Sequence, residues 1–241
     1  MKLLAVETST EACSAALIID GVVSECFELA PKEHTKLILP MIASLMADAC
    51  LKPQQLDALA FSCGPGSFTG VRIATGVIQG IALGANLPVV PVSTLAAIAQ
   101  DFFDNNHETV QGESLKADVS ALNVAFTAMD ARMGEIFWGV YQRNEQGFAQ
   151  LVGKEAVTLA AEVEFPDLIG TGIGSGWGVY GEELRLRLAG LVSTCQIDNL
   201  PRAAAIARLG AQGFKQGLAV DVELAMPVYL RDKVAKKESE R

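Results

Sequence analysis

Apolar residues open the chain in runs that suit strands. KLLAVET is followed by CSAALII, a turn at Asp20-Gly21 and VVSECFEL, and an Asp-Gly pair between two apolar runs predicts a β-hairpin. The period then changes. Leu37, Ile38, Met41, Ile42, Leu45, Met46 and Ala49 recur at the i, i+3, i+4 spacing of an amphipathic helix. Pro40 is expected to start or kink that helix, because proline has no N–H to donate to the carbonyl four residues back. LDALAFS reads as a strand, GPGSFTG as a loop, VRIATGVIQGIALGA as a helix and LPVVPV as a strand, an order that implies a right-handed parallel crossover.

Residues 101–120 are polar and without period, so they read as a linker or surface excursion. The pattern then restarts with strands at NVAFTAMDA, EIFWGVYQR, AQLVGKEAVTL and DLIGTG, and PRAAAIARLGAQGFKQG reads as a late helix. Two halves that each begin with consecutive antiparallel strands suggest a duplicated α/β domain. The expected organisation is a first lobe of 1–100 plus roughly 201–225, the 101–120 excursion, a smaller second lobe over 121–200, and a charged tail over 232–241.

Composition narrows the function. Hydrophobic residues form 50% of the chain, and counting Gly while omitting Tyr raises the share to about 58%, above the roughly 45–50% of ordinary soluble domains. Either a partner surface or Ala-rich helices account for the excess. A formal charge of -9 leaves no overall positive field for a phosphate backbone, so any nucleic acid it serves must be held by something basic. Cys13, Cys26, Cys50, Cys63 and Cys195 are scattered and form no CxxC pair. They read as reduced thiols of a cytoplasmic protein rather than a disulfide framework or zinc site. The start, MKLLAVETST, carries one basic residue and a short apolar run and is not expected to be a secretory signal. The uncharged stretch from Ile73 to Val92 is long enough for a membrane span, but Asn86 and Pro88 break it, and it is expected to be buried soluble structure.

The loop GPGSFTG, residues 64–70, leads from a strand into a helix as a phosphate cradle would. A Walker loop needs GxxxxGK[ST], and no lysine lies between 53 and 115; a dinucleotide fingerprint needs GxGxxG, and here the spacing is GxGxxxG. A tight strand-to-helix turn and a weak anion contact both remain open. In the helix that follows, Gly76, Gly80 and Gly84 stack on one face, each costing about 1 kcal/mol relative to Ala. Close approach of another backbone offsets such a cost, supplied either by the chain's own sheet or by a helix of a second subunit. Asp130 and Arg132 in MDARMGEIFWG, with Glu7, Thr8 and Ser9 at the end of the first strand, make a candidate degenerate nucleotide cleft. No GxSxG elbow or HExxH motif occurs, and of the two histidines His34 is expected to cap its helix or face solvent.

MKLLAVETSTEACSAAL, SCGPGSFTGVRIATGVIQGIALG, PVVPVSTLAA, AMDARMGEIFWGVY and PVYLRDKVA together resemble the bacterial TsaB (YeaZ) family over nearly the whole chain. The resemblance implies a two-lobed actin-like, Hsp70-like and sugar-kinase-like (ASKHA) fold with duplicated ribonuclease-H-like lobes. It also implies a part in making threonylcarbamoyladenosine at adenosine 37 of ANN-decoding tRNAs. In that family's pathway TsaD transfers the threonylcarbamoyl group from threonylcarbamoyl-AMP to tRNA, with TsaB and the ATPase TsaE as partners. TsaD carries a metal-binding HxxxH just after the strand equivalent to PVVPV, and Thr94 and Ile98 stand at the matching positions here. The resemblance therefore implies a non-catalytic scaffold, with ATP, ADP and metal belonging to the partner complex, tRNA reached only through it, and no membrane. It places a homodimer interface, alternatively the TsaD interface, on the helices over 35–49 and 67–84: Leu37, Ile38, Met41, Leu45, Arg72, Gly76, Gly80 and Gly84. The rival expectation is a self-sufficient enzyme, an actin-fold phosphotransferase using Glu7, Thr8 and Asp130, or a glycoprotease-like hydrolase.

Overall fold

The computed structural model of the chain describes residues 1–106 and 119–231. Its two five-stranded sheets share one plan. β1 (Lys2–Glu7), β2 (Ala12–Ile19) and β3 (Val22–Leu29) form an antiparallel meander, and β4 (Ala58–Gly64) and β5 (Val89–Ser93) add in parallel beyond β1, giving the order β3-β2-β1-β4-β5. The second sheet uses β6 (Val124–Asp130), β7 (Glu135–Arg143), β8 (Ala149–Leu159), β9 (Gly170–Ile173) and β10 (Val192–Gln196) in the equivalent order β8-β7-β6-β9-β10. Duplication that sequence identity could only suggest is thus plain in the strand order.

Helices occupy corresponding places. α1 (His34–Asp48) joins β3 to β4, α2 (Phe68–Ala85) joins β4 to β5, and α3 (Thr94–Asn105) follows β5. In the second half a short 3-10 turn at Ala160–Glu162 stands where α1 would be, α4 (Ser175–Arg187) joins β9 to β10, and α5 (Ala203–Lys215) follows β10. α1 and α2 cover one face of the first sheet, packing Ile38, Ile42, Leu45, Ala74 and Ile78 onto Leu4, Val6, Leu59 and Phe61. α5 covers the opposite face, laying Ala203, Ile206 and Ala207 on Leu3, Ala5, Ala58 and Ala60. Small side chains on both surfaces let this helix lie close to the sheet, as tight packing of an interior requires.

α3 runs between the sheets, with Leu95, Ile98, Ala99 and Phe102 packed on Ala125, Met129 and Tyr141. Its cap is Ser93, whose Oγ accepts the Leu95 and Ala96 N–H groups at 3.1 and 3.4 Å. The Ser93 and Tyr141 hydroxyls both donate to Glu155, pinning the end of β5 to β7 and β8.

Several elements depart from the sequence pattern. Pro40 lies inside α1, which begins six residues earlier at His34. α3 was not apparent, and it runs to Asn105, into the stretch expected to be linker, because Phe102 and Phe103 are buried among the polar residues there. The rest of that excursion, residues 107–118, lies outside the described residues, as does the charged tail over 232–241. α4 opens on SGWGVYG, too rich in glycine to show an apolar stripe, yet Trp177 anchors it by donating Nε1–H to Phe126 O at 2.7 Å. β10, VSTCQ, is a polar edge strand with nothing to mark it.

Candidate docking surface

α2 buries one stripe, Val71, Ala74, Thr75, Ile78 and Ala82, and leaves the opposite one open. A methyl group placed on Gly76, Gly80 or Gly84 would meet no atom within 4 Å. The chain's own sheet is therefore not what these glycines admit, and the stretch expected to be buried is buried on one side only, with 33% of the helix buried. Half-buried Ile73, Val77 and Ile81 flank the glycines, and Leu83 is 74% exposed.

α1 lies beside α2 on the same sheet and adds half-buried Leu37 and Met41. Ile38 and Leu45 belong to the same apolar pattern but are only 1% and 5% exposed. They point down into the sheet, so they are removed from the expected interface set. Leu39, 56% exposed, takes their place on the surface.

Residues 225–231 run back along α2 as a strap. Gln79 Nε2 donates to Ala225 O at 2.9 Å, and the Val228 N–H donates to Cys63 O at 2.7 Å. Arg72 Nε donates to Tyr229 Oη at 2.9 Å, and the Arg72 guanidinium carbon lies 3.5 Å from the Phe68 ring centroid. Phe68, Met226 and Tyr229 are 51%, 58% and 45% exposed. None of these three stood in the sequence-based set, although Phe68 and Arg72 are one helical turn apart and so share the glycine face.

The loop before α2 is a packing device. Ser67 N–H donates to Ser9 O at 2.7 Å and Thr8 Oγ1 donates to Gly70 O at 2.8 Å. A methyl group on Gly66 would lie 2.7 Å from Ser9, and one on Gly70 would lie 2.0 Å from Thr8 O. Glycine at these two positions lets the first turn of α2 rest directly on the β1–β2 turn. Of the two readings of GPGSFTG, the structure takes the tight turn.

That contact seals the residues expected to line a cleft. Glu7, Thr8 and Ser9 are 0%, 0% and 1% exposed. Glu7 Oε1 accepts the N–H and hydroxyl of Ser9 at 2.5 and 2.6 Å, while Oε2 and the buried Ser62 hydroxyl have no hydrogen-bond partner among the described residues. Burial pushes the Glu7 carboxyl above the usual range, against the opposing pull of Ser62, Ser9 and His34. His34 does not face solvent as expected. It is buried with Nε2 2.8 Å from Thr10 O and 3.1 Å from Ala12 O, so that nitrogen carries the proton and ties α1 to the β1–β2 turn.

Asp130 and Arg132 stay at the β6–β7 turn. The Arg132 N–H donates to Asp130 Oδ1 at 2.8 Å and the side chains pair at 3.4 Å, while Arg231 of the strap pairs with Glu135 at 2.5 Å. These contacts close the turn on itself. Cavities of about 550 and 340 Å³ lie elsewhere, the first beside Trp138 and Phe165, the second among Asp101, Asp104, Arg202 and Arg208; neither is lined by Glu7, Thr8, Ser9, Asp130 or Arg132. The expected cleft set is thus not brought together at an open site. Thr94 and Ile98 are buried in the core, and among the described residues no three His, Cys, Asp or Glu side chains converge as metal ligands.

A family model described as "TsaD: tRNA N6-adenosine threonylcarbamoyltransferase" matches residues 19–174. The chain is 41% identical to the Escherichia coli (strain K12) "tRNA threonylcarbamoyladenosine biosynthesis protein TsaB", over 99% of this chain and 98% of that one. It is 36% identical to the Haemophilus influenzae protein of the same name, over 99% and 97%. A solved structure described as "YeaZ from Pseudomonas aeruginosa" superposes with a TM-score of 0.82 at 38% identity, covering 95% of this chain and 99% of that one. The duplicated strand order and these matches define a two-lobed protein of the actin-like, Hsp70-like and sugar-kinase-like (ASKHA) class. Within that class, the chain belongs to the TsaB (YeaZ) family.

Proposed function

We propose that this chain serves tRNA threonylcarbamoyladenosine biosynthesis in the cytoplasm as a non-catalytic docking subunit. Its α1–α2 face binds TsaD, with TsaE joining the assembly, and pairs with a second copy of the chain when TsaD is absent. Transfer of threonylcarbamoyl from threonylcarbamoyl-AMP to adenosine 37 of ANN-decoding tRNAs belongs to TsaD, as do the metal and nucleotide, and tRNA is reached only through the complex.

The observation that carries this reading is the open stripe of Gly76, Gly80 and Gly84. Three helix-interior glycines with no neighbour of their own cost about 3 kcal/mol in the isolated chain, and close approach of a partner backbone gives them a use. The sealed state of Glu7, Thr8 and Ser9 supports a role without chemistry of its own. The net charge of -9 supports indirect contact with tRNA.

Size exclusion with light scattering tests the reading, on the chain alone and mixed with TsaD of the same organism. A homodimer that exchanges into a one-to-one heterodimer is the expected result. Gly80→Leu is expected to abolish that association and to stop threonylcarbamoyladenosine formation in a reconstituted assay, while melting as a folded monomer. A wild-type chain that ignores TsaD overturns the proposal.

A further inference from the structure

Phe68, Arg72, Gly76, Gly80 and Gly84 follow one another at intervals of four residues, so they form one row along α2. The row is an anchor followed by a groove. Its charge is unusual, because Arg72 is the sole charged residue in α2 and makes no ion pair among the described residues.

Arg72 is held in place. Its guanidinium carbon lies 3.5 Å from the Phe68 ring centroid and 5.8 Å from that of Tyr229, and its Nε–H is spent on Tyr229 Oη at 2.9 Å. With Nε engaged, the two terminal nitrogens of this exposed side chain have no hydrogen bond or ion pair among the described residues, and such a fork matches the two oxygens of a carboxylate. The stacked Phe68 ring and the Tyr229 hydroxyl fix the rotamer of this exposed side chain, which lowers the entropy lost when a partner engages it. Arginine and tyrosine in such a setting dominate the energetics of interfaces.

We propose that Arg72 anchors the docking face by receiving a carboxylate from a partner helix that lies along the glycine groove. This rests on the docking reading above and adds the chemistry of its partner: an Asp or Glu of TsaD placed one to two turns from the point of closest helix approach. The row itself carries no acid. Two copies of this chain packed α2 to α2 therefore offer Arg72 no counter-charge from the facing helix, and Arg72 favours the acidic partner over a second copy.

The test titrates TsaD of the same organism into the full chain and its Arg72→Ala, Arg72→Lys and Arg72→Glu variants by calorimetry at low and high salt, with thermal melts to show that each is folded. Arg72→Ala is expected to weaken binding about tenfold or more and to flatten its salt dependence. Arg72→Lys, which keeps the charge and loses the fork, is expected to fall between, and Arg72→Glu to show no binding. Self-association by light scattering is expected to be undiminished in Arg72→Ala. Tyr229→Phe keeps the ring and frees Nε; if Arg72 only fastens the strap, this variant weakens binding as much as Arg72→Ala and leaves the salt dependence alone, which overturns the proposal. Folded Arg72 variants that bind as tightly as wild type also overturn it while leaving the docking reading intact. A wild-type chain that does not bind TsaD removes both.

Discussion

Replacing Gly76, Gly80 and Gly84 together by alanine is expected to make the isolated chain more stable. All three lie inside α2, none has a positive φ, and an added methyl at each meets no atom within 4 Å. The gain per site is then the difference in helix propensity, about 0.8–1 kcal/mol, or about 2–3 kcal/mol for the triple variant. In a chain of 241 residues, 1 kcal/mol moves Tm by about 2–4 °C, so a rise of about 5–10 °C is expected. Urea unfolding and calorimetry should be run at a concentration at which light scattering finds single chains, because self-association would add its own stabilisation. Binding to TsaD is expected to move the other way, by tenfold or more, since three methyls entering a close helix contact overpack it by about 1–3 kcal/mol. A lower or unchanged Tm refutes the claim that the stripe is open. A higher Tm with undiminished binding refutes its use as the dock.

Other consequences are as direct. Gly70→Ala places a methyl 2.0 Å from Thr8 O and is expected to destabilise the fold by about 1–3 kcal/mol, read as a lower urea midpoint. Burial, reinforced by Glu25 and Asp104 and opposed by Arg202, raises the Asp101 carboxyl from 3.8 to about 6. Its protonation therefore contributes stability in full below pH 3.8 and loses it as pH climbs through about 6. Asp101→Asn is then more stable than the parent at neutral pH, with the difference vanishing in acid, as urea midpoints across pH will check. Burial also pushes the Cys13 and Cys63 thiols up to about 11 and 12, whereas Cys50 is exposed. In a native thiol titration Cys50 is expected to react first, and Cys13 and Cys63 only after unfolding.

Local patterns carried most of the fold. The Asp20-Gly21 turn takes left-handed φ values of 48° and 93°, as the dipeptide requires of a two-residue hairpin, and the glycine spacing in α2 marked the surface that proved open. What was hidden depended on distant contacts. Ile38 and Leu37 are adjacent in one apolar pattern, yet one is buried against the sheet and the other stays half-buried at the rim of the core, a distinction that periodicity cannot make. Glu7, Thr8 and Ser9 look like polar residues at a strand end and are enclosed because residues 66–70 close over Thr8 and Ser9 and His34 ties α1 to the same turn. Phe102 and Phe103 sit in a polar stretch and were masked by it, while Tyr229 joins the open face of α2 from 157 positions away. Glycines in α4 concealed a helix whose anchor is a single tryptophan.

The place of α5 has a consequence for how the protein is made. The first sheet is complete by Ser93, but the helix that covers Leu3, Ala5, Ala58 and Ala60 is α5, residues 203–215. During translation the whole second sheet therefore emerges while one face of the first still lacks its cover. The strap beside α2 comes later still, after residue 224. Domains usually fold as units, N-terminal first, during synthesis; here the older half waits for the younger. The open face of α2 acquires Met226 and Tyr229 only in a chain that has been read past residue 229.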